Sequence, residues 1–195
     1  EFIYDDEPMG TFCEMEDIKD HVIVVDSISK RFSACGARIG SIISRNREFM
    51  AEAMKLCQGR LCTATLDQAG AAAMYEHVQP SYFKEVRDEY KKRRDAVVEE
   101  LSKIPGTKFH TPEGAFYMMV TLPVDDVEKL QYFLLEEFED NGDTVMYAPG
   151  SGFYADPAKG RSEIRIAYVK NCDYLRRAIQ LVGKGVAAYN AKRGV

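Results

Sequence analysis

The run His21-Val22-Ile23-Val24-Val25 is short, apolar and β-branched, and it delivers the chain through Asp26 into a loop of serines, glycines and one lysine, Ser27-Ile28-Ser29-Lys30-Arg31-Phe32-Ser33-Ala34-Cys35-Gly36-Ala37-Arg38-Ile39-Gly40. A run of this kind is the signature of a strand buried on both faces of a parallel sheet, which points to an α/β fold. Lys30 then follows the carboxyl end of a buried strand. Open α/β sheets bind their ligands at that end, so a lysine placed there reads as a covalent catalyst in preference to a solvated charge.

Two chemistries suit a lysine between serines. In the first, Lys30 is a Schiff-base lysine whose amine attacks an aldehyde cofactor, with Arg38 as a neighbouring cation that favours the neutral amine. Ser27 and Arg38 then hold a phosphate, the guanidinium through paired hydrogen bonds and the serine through its hydroxyl. Gly36 and Gly40 let the backbone come close. In the second, Ser27-Ile28-Ser29-Lys30 is the Ser-x-x-Lys nucleophile of penicillin-binding proteins, with Ser44-Arg45-Asn46 as its partner. That mechanism also needs a Lys-Thr-Gly strand, which the chain lacks, and a serine that opens a long helix. The first chemistry is preferred.

The run from Ser27 to Gly40 resembles the lysine signature of the class I, fold type I pyridoxal-phosphate-dependent aminotransferases, of the aspartate aminotransferase kind. The small, apolar, small and lysine positions are Ser27, Ile28, Ser29 and Lys30, and the later small, glycine and arginine positions are Ser33, Ala34, Gly36, Arg38, Ile39 and Gly40. The resemblance implies that Lys30 forms the Schiff base with the cofactor and moves the proton between the substrate Cα and the cofactor C4′. It also implies that Ser27 and Arg38 bind the cofactor phosphate. Ala37 stands where many members have a bulky aromatic residue. His110-Thr111-Pro112-Glu113-Gly114-Ala115-Phe116-Tyr117 is similar to the family's turn and strand in its small domain. Val145 to Phe153 with Glu163-Ile164-Arg165-Ile166-Ala167 resembles its proline-glycine loop and substrate-arginine strand. Arg165 is carried over as the clamp for an amino acid α-carboxylate. Strand alternation sets it on the side opposite Ile164 and Ile166.

Family members also carry, upstream of the lysine, an aspartate at the pyridine nitrogen and a tyrosine near the phenolic oxygen. Tyr4 and Asp5 lie too close to Lys30 for that spacing and are read as loop residues after the pair. The resemblance therefore implies the carboxy-terminal half of a fold type I enzyme. Residues 1–80 would be a remnant of the large three-layer α/β/α domain, and residues 81–195 a small two-layer α+β domain, with the boundary in or near the helix starting at Ser81.

The periodicity predicts a helix containing Ile42, Ile43, Phe49, Met50, Ala53, Met54 and Cys57, and a longer one after Pro80 with Phe83, Val86, Tyr90, Val97, Val98 and Leu101 inward. In the latter, Lys91-Lys92-Arg93-Arg94 is read as a solvated face. A strand pair around 108–110 and 115–121 follows, then a helix capped by Asp125 or Asp126 and ended at Asn141-Gly142. Strands near Thr144–Tyr147 and at Arg165 precede a last helix opened by Asn171 or Asp173.

At 195 residues with 46% hydrophobic and 29% charged composition, the chain has the make-up of a globular protein. The net charge of −5 argues against a nucleic-acid surface. There is no apolar run long enough to span a membrane and no signal-peptide pattern at the start, so no membrane association is expected. Five cysteines without a Cys-x-x-Cys pair suit a reducing, cytoplasmic compartment and are read as small buried hydrophobes. The three histidines lack ligand spacing, and no metal is expected.

Three functions follow. The favoured one is transfer of an amino group between an amino acid, aspartate-like or aromatic, and a 2-oxo acid such as 2-oxoglutarate, with pyridoxal 5′-phosphate as cofactor and a homodimer as the full-length assembly. The second is a fold type I lyase, decarboxylase or synthase, since the cofactor supplies the electron sink in all of them. The third is a non-catalytic folded fragment or interaction module. Without the pyridine-nitrogen aspartate, residues 1–195 alone are expected to show little or no transamination; appreciable keto-acid production by this chain in an assay with amino acids and 2-oxoglutarate would overturn that expectation.

Overall fold

A computed structural model describes residues 2–4 and 10–194. Asp5, weighed above with Tyr4, lies outside the described residues. Among the described residues the chain divides into two compact units, one of residues 10–83, the other of residues 2–4 and 84–194.

In the first unit, two 3-10 turns, Phe12–Glu14 and Glu16–His21, lead into β1 (Ile23–Ser27). A single helical turn, α1 (Ile28–Arg31), and a 3-10 turn at Cys35–Ala37 separate it from β2 (Gly40–Ser44). The strand expected at 21–25 thus forms two residues later, and it pairs antiparallel with β2. It is not buried on both faces either, since Val25 is 76% exposed. A β-branched run specifies an extended backbone but not the direction of its partner, and a two-stranded ribbon has no second layer to bury against.

Ile42 and Ile43, expected on a helix, belong to β2. The helix α2 (Arg47–Arg60) starts only after Asn46, whose side chain accepts from the Phe49 N–H at 2.9 Å. That side-chain cap supplies the start signal that apolar spacing lacks. A further helix, α3 (Thr65–His77), is rich in alanine and has Ala71 as its buried residue. Its alanines favour helix without marking an apolar stripe, so periodicity does not predict it. Cys13, Cys35, Cys57 and Cys62 are exposed and Cys172 is half-buried, contrary to the expectation of buried thiols.

Helix α4 (Pro80–Leu101) begins at the end of the first unit and runs into the second. The second unit continues with β3 (Lys108–Phe109), β4 (Tyr117–Thr121), α5 (Val127–Glu136), β5 (Ala148–Pro149), β6 (Glu163–Ala167) and α6 (Cys172–Arg193). The sheet order is β3-β4-β6-β5, with every pair antiparallel. Met118 pairs with Ile166 and Val120 with Ile164, so these four share one face. That face packs with Val97 and Leu101 of α4, Leu130 and Leu134 of α5, and Ile179 and Val182 of α6. The result is a two-layer α+β arrangement.

The helix ends follow side-chain chemistry. Asp126 accepts from the N–H groups of Glu128 and Lys129, and Asn171 accepts from that of Tyr174. Asn141 and Gly142 turn the chain with positive φ, and Gly194 ends α6 in the left-handed region. The strand expected at 144–147 is reduced to Ala148–Pro149 because α5 takes the polar groups before it. The Tyr147 N–H donates to Gln131 Oε1 at 3.1 Å and the Thr144 hydroxyl donates to the Leu134 carbonyl at 2.5 Å.

Residues 2–4 add to this unit. Ile3 bridges Gly114, the Tyr4 N–H donates to the Glu113 carbonyl at 2.8 Å, and the Ala115 N–H donates to the Phe2 carbonyl at 2.7 Å. A side chain at Gly114 would place its Cβ 2.8 Å from the Phe2 carbonyl oxygen, so the close approach requires glycine. Tyr4, read as a loop residue, is a core residue whose hydroxyl donates to the Ala115 carbonyl, as does that of Tyr168. Burial pushes both phenols above the ordinary tyrosine range, so they remain donors. Arg94 lies over the Tyr4 ring at 4.9 Å and donates to the Pro112 carbonyl at 2.9 Å, while Lys91 donates to the Tyr4 carbonyl at 3.2 Å. The basic run of α4 is therefore not simply solvated; Arg94 is buried.

The loop before β6 is built on glycine-to-glycine contact. A Cβ on Gly160 would lie 2.4 Å from the Gly150 carbonyl carbon, with no flexible side chain there to yield. Gly160→Ala is expected to destabilise the protein by about 1–3 kcal/mol through overpacking. A urea titration checks this: the midpoint should fall at unchanged slope.

Acid should also weaken the second unit. Lys184 and Arg177 hold the Asp140 carboxyl below its ordinary range, and Arg176 and Lys103 do the same for Glu99. Groups with depressed folded values contribute fully above the unfolded carboxylate range of about pH 4, and the contribution is lost as pH falls through the folded values. The urea midpoint should therefore be lower at pH 3 than at pH 6, and Asp140→Asn should flatten the difference. Equal midpoints at the two pH values would contradict it.

Candidate active site

The loop that carries Lys30 is closed at its neck. The β1–β2 ladder ends with Ser27 opposite Gly40, and the Ile28 N–H donates to the Ile39 carbonyl at 3.3 Å. This brings Ser27 beside the segment that holds Arg38, although eleven positions separate them in sequence. Ser27 caps α1: its Oγ accepts from the Ser29 N–H at 3.1 Å, and lies 2.9 Å from Ser29 Oγ and 3.1 Å from the Ile39 carbonyl oxygen. Ile28 is buried and Lys30 is exposed, so the turn is anchored by its apolar residue and presents its amine to solvent.

Two left-handed residues shape the rest of the loop, Ser33 with φ 52° and Arg38 with φ 55°. Each such non-glycine residue costs on the order of 1 kcal/mol, and such strain collects at functional sites. Arg38 is exposed and donates to the Cys35 carbonyl at 3.0 Å, which leaves other guanidinium donors for a ligand.

The flanks of the turn are fixed by charge and by rings. Asp26 and Arg31 pair at 2.9 Å across the Ser27–Lys30 segment. Arg31 also lies over the Tyr75 ring at 5.8 Å. Phe32 meets Tyr75 edge-on at 5.2 Å and packs against Phe83 at 5.8 Å. The turn that carries Lys30 is thus flanked by contacts of Asp26, Arg31 and Phe32 that the sequence motif did not disclose.

Arg165 belongs to the second unit. It occupies the middle of β6, opposite Met119 on β4 and Ala148 on β5, on the face away from Ile164 and Ile166. Its guanidinium lies over two rings, Tyr117 at 4.8 Å and Phe153 at 4.3 Å. Among the described residues it has no ion pair or hydrogen bond. It also borders a groove of about 800 Å³ between the 143–148 segment, β6 and α6. Tyr117 and Phe153 both lie in motifs visible in the sequence, but their convergence on Arg165 depends on strand register and loop path, which the sequence does not give.

The Aminotransferase class I and II family model matches residues 1–180. The aspartate aminotransferase of Sulfurisphaera tokodaii is 31% identical over 188 residues, covering 92% of this chain and 44% of the relative. The crystal structure of an aspartate aminotransferase from Thermotoga maritima superimposes with a TM-score of 0.76 at 26% identity, over 95% of this chain and 45% of that one. A Pyrococcus horikoshii kynurenine aminotransferase, solved with PMP, shares the fold with a TM-score of 0.81 at 23% identity, over 96% of this chain and 46% of that one. The chain belongs to the class I and II aminotransferase family. It spans about half the length of the relatives it matches.

Proposed function

We propose that the whole protein transfers an amino group between an amino acid and a 2-oxo acid with pyridoxal 5′-phosphate, and that this chain supplies Lys30, Ser27, Arg38 and Arg165 to the site. The observation that supports the reading is the closed Ser27–Gly40 loop, in which Ser27 caps the turn that carries Ser29 and Lys30 and Arg38 is exposed on the same loop. That donor set suits a phosphorylated aldehyde: hydroxyl and guanidinium donors match a phosphate dianion, and an exposed amine matches the carbonyl. The cofactor, when bound, supplies a conjugated ring that takes up the electron pair of the substrate bond that breaks.

In this reading Ser27 and Arg38 bind the phosphate and orient the ring. Lys30 holds the cofactor in the resting enzyme and moves the proton at the substrate Cα. Arg165 binds the α-carboxylate through two parallel N–H donors. Aspartate-like or aromatic amino acids with 2-oxoglutarate, a homodimer and a cytoplasmic location complete the proposal. In its support, the relatives and solved neighbours named above are aminotransferases, and no helix among the described residues is long and apolar enough to cross a membrane.

The test follows the keto acid released by the whole protein from amino acids and 2-oxoglutarate. Lys30→Ala is expected to lower kcat by at least about 10²–10⁴-fold, the usual worth of a positioned acid–base group. It should also abolish the borohydride-fixed adduct on the Lys30 peptide seen by mass spectrometry. Arg165→Ala should raise KM by roughly tenfold to a hundredfold. Transamination intact in Lys30→Ala would overturn the cofactor assignment.

A further inference from the structure

Arg165 is a half-buried cation that, among the described residues, meets two rings and no carboxylate. Tyr117 reaches it from β4, where pairing opposite Ala167 puts the ring on the same face and one diagonal step away. Phe153 reaches it from the Gly150–Phe153 turn, and the Gly150–Gly160 contact fixes that turn against the start of β6. An arginine can be held in place by a carboxylate or by an aromatic face. A carboxylate would use its N–H donors, whereas a ring attracts the cation through its quadrupole and accepts none of them in ordinary hydrogen bonds.

We propose that Tyr117 and Phe153 are positioning residues that immobilise the Arg165 guanidinium while leaving its donors free for a substrate carboxylate. The proposal rests on the assignment of Arg165 to the carboxylate in the function above. An arginine without these rings would have to be ordered at the moment of binding, and immobilising one long side chain costs an amount that corresponds to about twofold to tenfold in affinity. The free protein has met that cost in advance. The same arrangement disfavours an acidic neighbour, which would compete with the substrate for the fork; none is paired with Arg165 among the described residues.

The experiment uses the whole protein with Phe153→Leu, Tyr117→Leu, Tyr117→Phe and Arg165→Gln. Each leucine variant should raise KM for the amino acid by about twofold to tenfold with kcat little changed, the pattern of lost uniform binding. Tyr117→Phe keeps the ring and should behave as the unsubstituted protein. Independently, in protein labelled with ¹⁵N-arginine, the Arg165 Nε–H resonance should show a ring-current shift that the leucine variants reduce, and should respond to added sodium acetate. If both leucine variants keep the original KM while Arg165→Gln raises it, the positioning role is overturned and the carboxylate assignment survives. If Arg165→Gln leaves KM unchanged, the carboxylate assignment itself falls. An unshifted Nε–H resonance in the unsubstituted protein would overturn the ring contact without recourse to any variant.

Discussion

The pairing of β4 with β6 governs the second unit. Five opposed residue pairs run from Tyr117 with Ala167 to Thr121 with Glu163. Because side chains alternate strictly, a slip of one residue would exchange the two faces. If β6 slipped, Ile164 and Ile166 would point away from the helices, and Arg165 would enter the apolar layer. Burying an unpaired guanidinium costs several kcal/mol, and exposing two aliphatic side chains adds a few more. The core therefore sets the address of the arginine: hydrophobic burial on one face decides which cation stands on the other.

A different device operates around Lys30. Here little is buried, and the loop is held by local chemistry: a serine cap, a ladder closed at Ser27 and Gly40, an ion pair between Asp26 and Arg31, and the Phe32 ring among neighbouring aromatics. A partly exposed ion pair contributes no more than about 1 kcal/mol. Several such restraints nevertheless act on the twelve intervening residues, and the Lys30 side chain stays exposed among them. An amine that changes partners, the role proposed for Lys30, is served by that division.

How much of this was legible in the sequence follows from the range of the forces involved. The lysine loop could be read because its residue types are local necessities, and the α5 and α6 caps because Asp126 and Asn171 act on their own helix starts. The elements at 42–43 and 144–147 were misread for the opposite reason. Ile42 and Ile43 have apolar spacing that suits a helix, and only the partner strand β1 makes them a strand. The 144–147 run has strand-like residues, yet Gln131 and Leu134, some ten to sixteen positions earlier, capture its polar groups. Arg94 looked solvated within a basic run because its partners, Tyr4 and Pro112, are far away in the chain. Tyr117 and Phe153 were invisible as neighbours of Arg165 for the same cause.

The docking of residues 2–4 onto the Gly114–Ala115 segment has a bearing on how the chain acquires its structure. Tyr4 and its acceptor are separated by 111 positions, and the first unit lies between them in sequence. Closing a loop of that length carries an entropic cost of about 4 kcal/mol, to be met by contacts that exist only once Tyr168, Arg94 and the Ala115 carbonyl are already assembled. On a ribosome the earliest of these residues must therefore wait, unpaired, while most of the remaining chain is made. Residues 2–4 can pair with the 113–115 segment only after a chain of that length has been made.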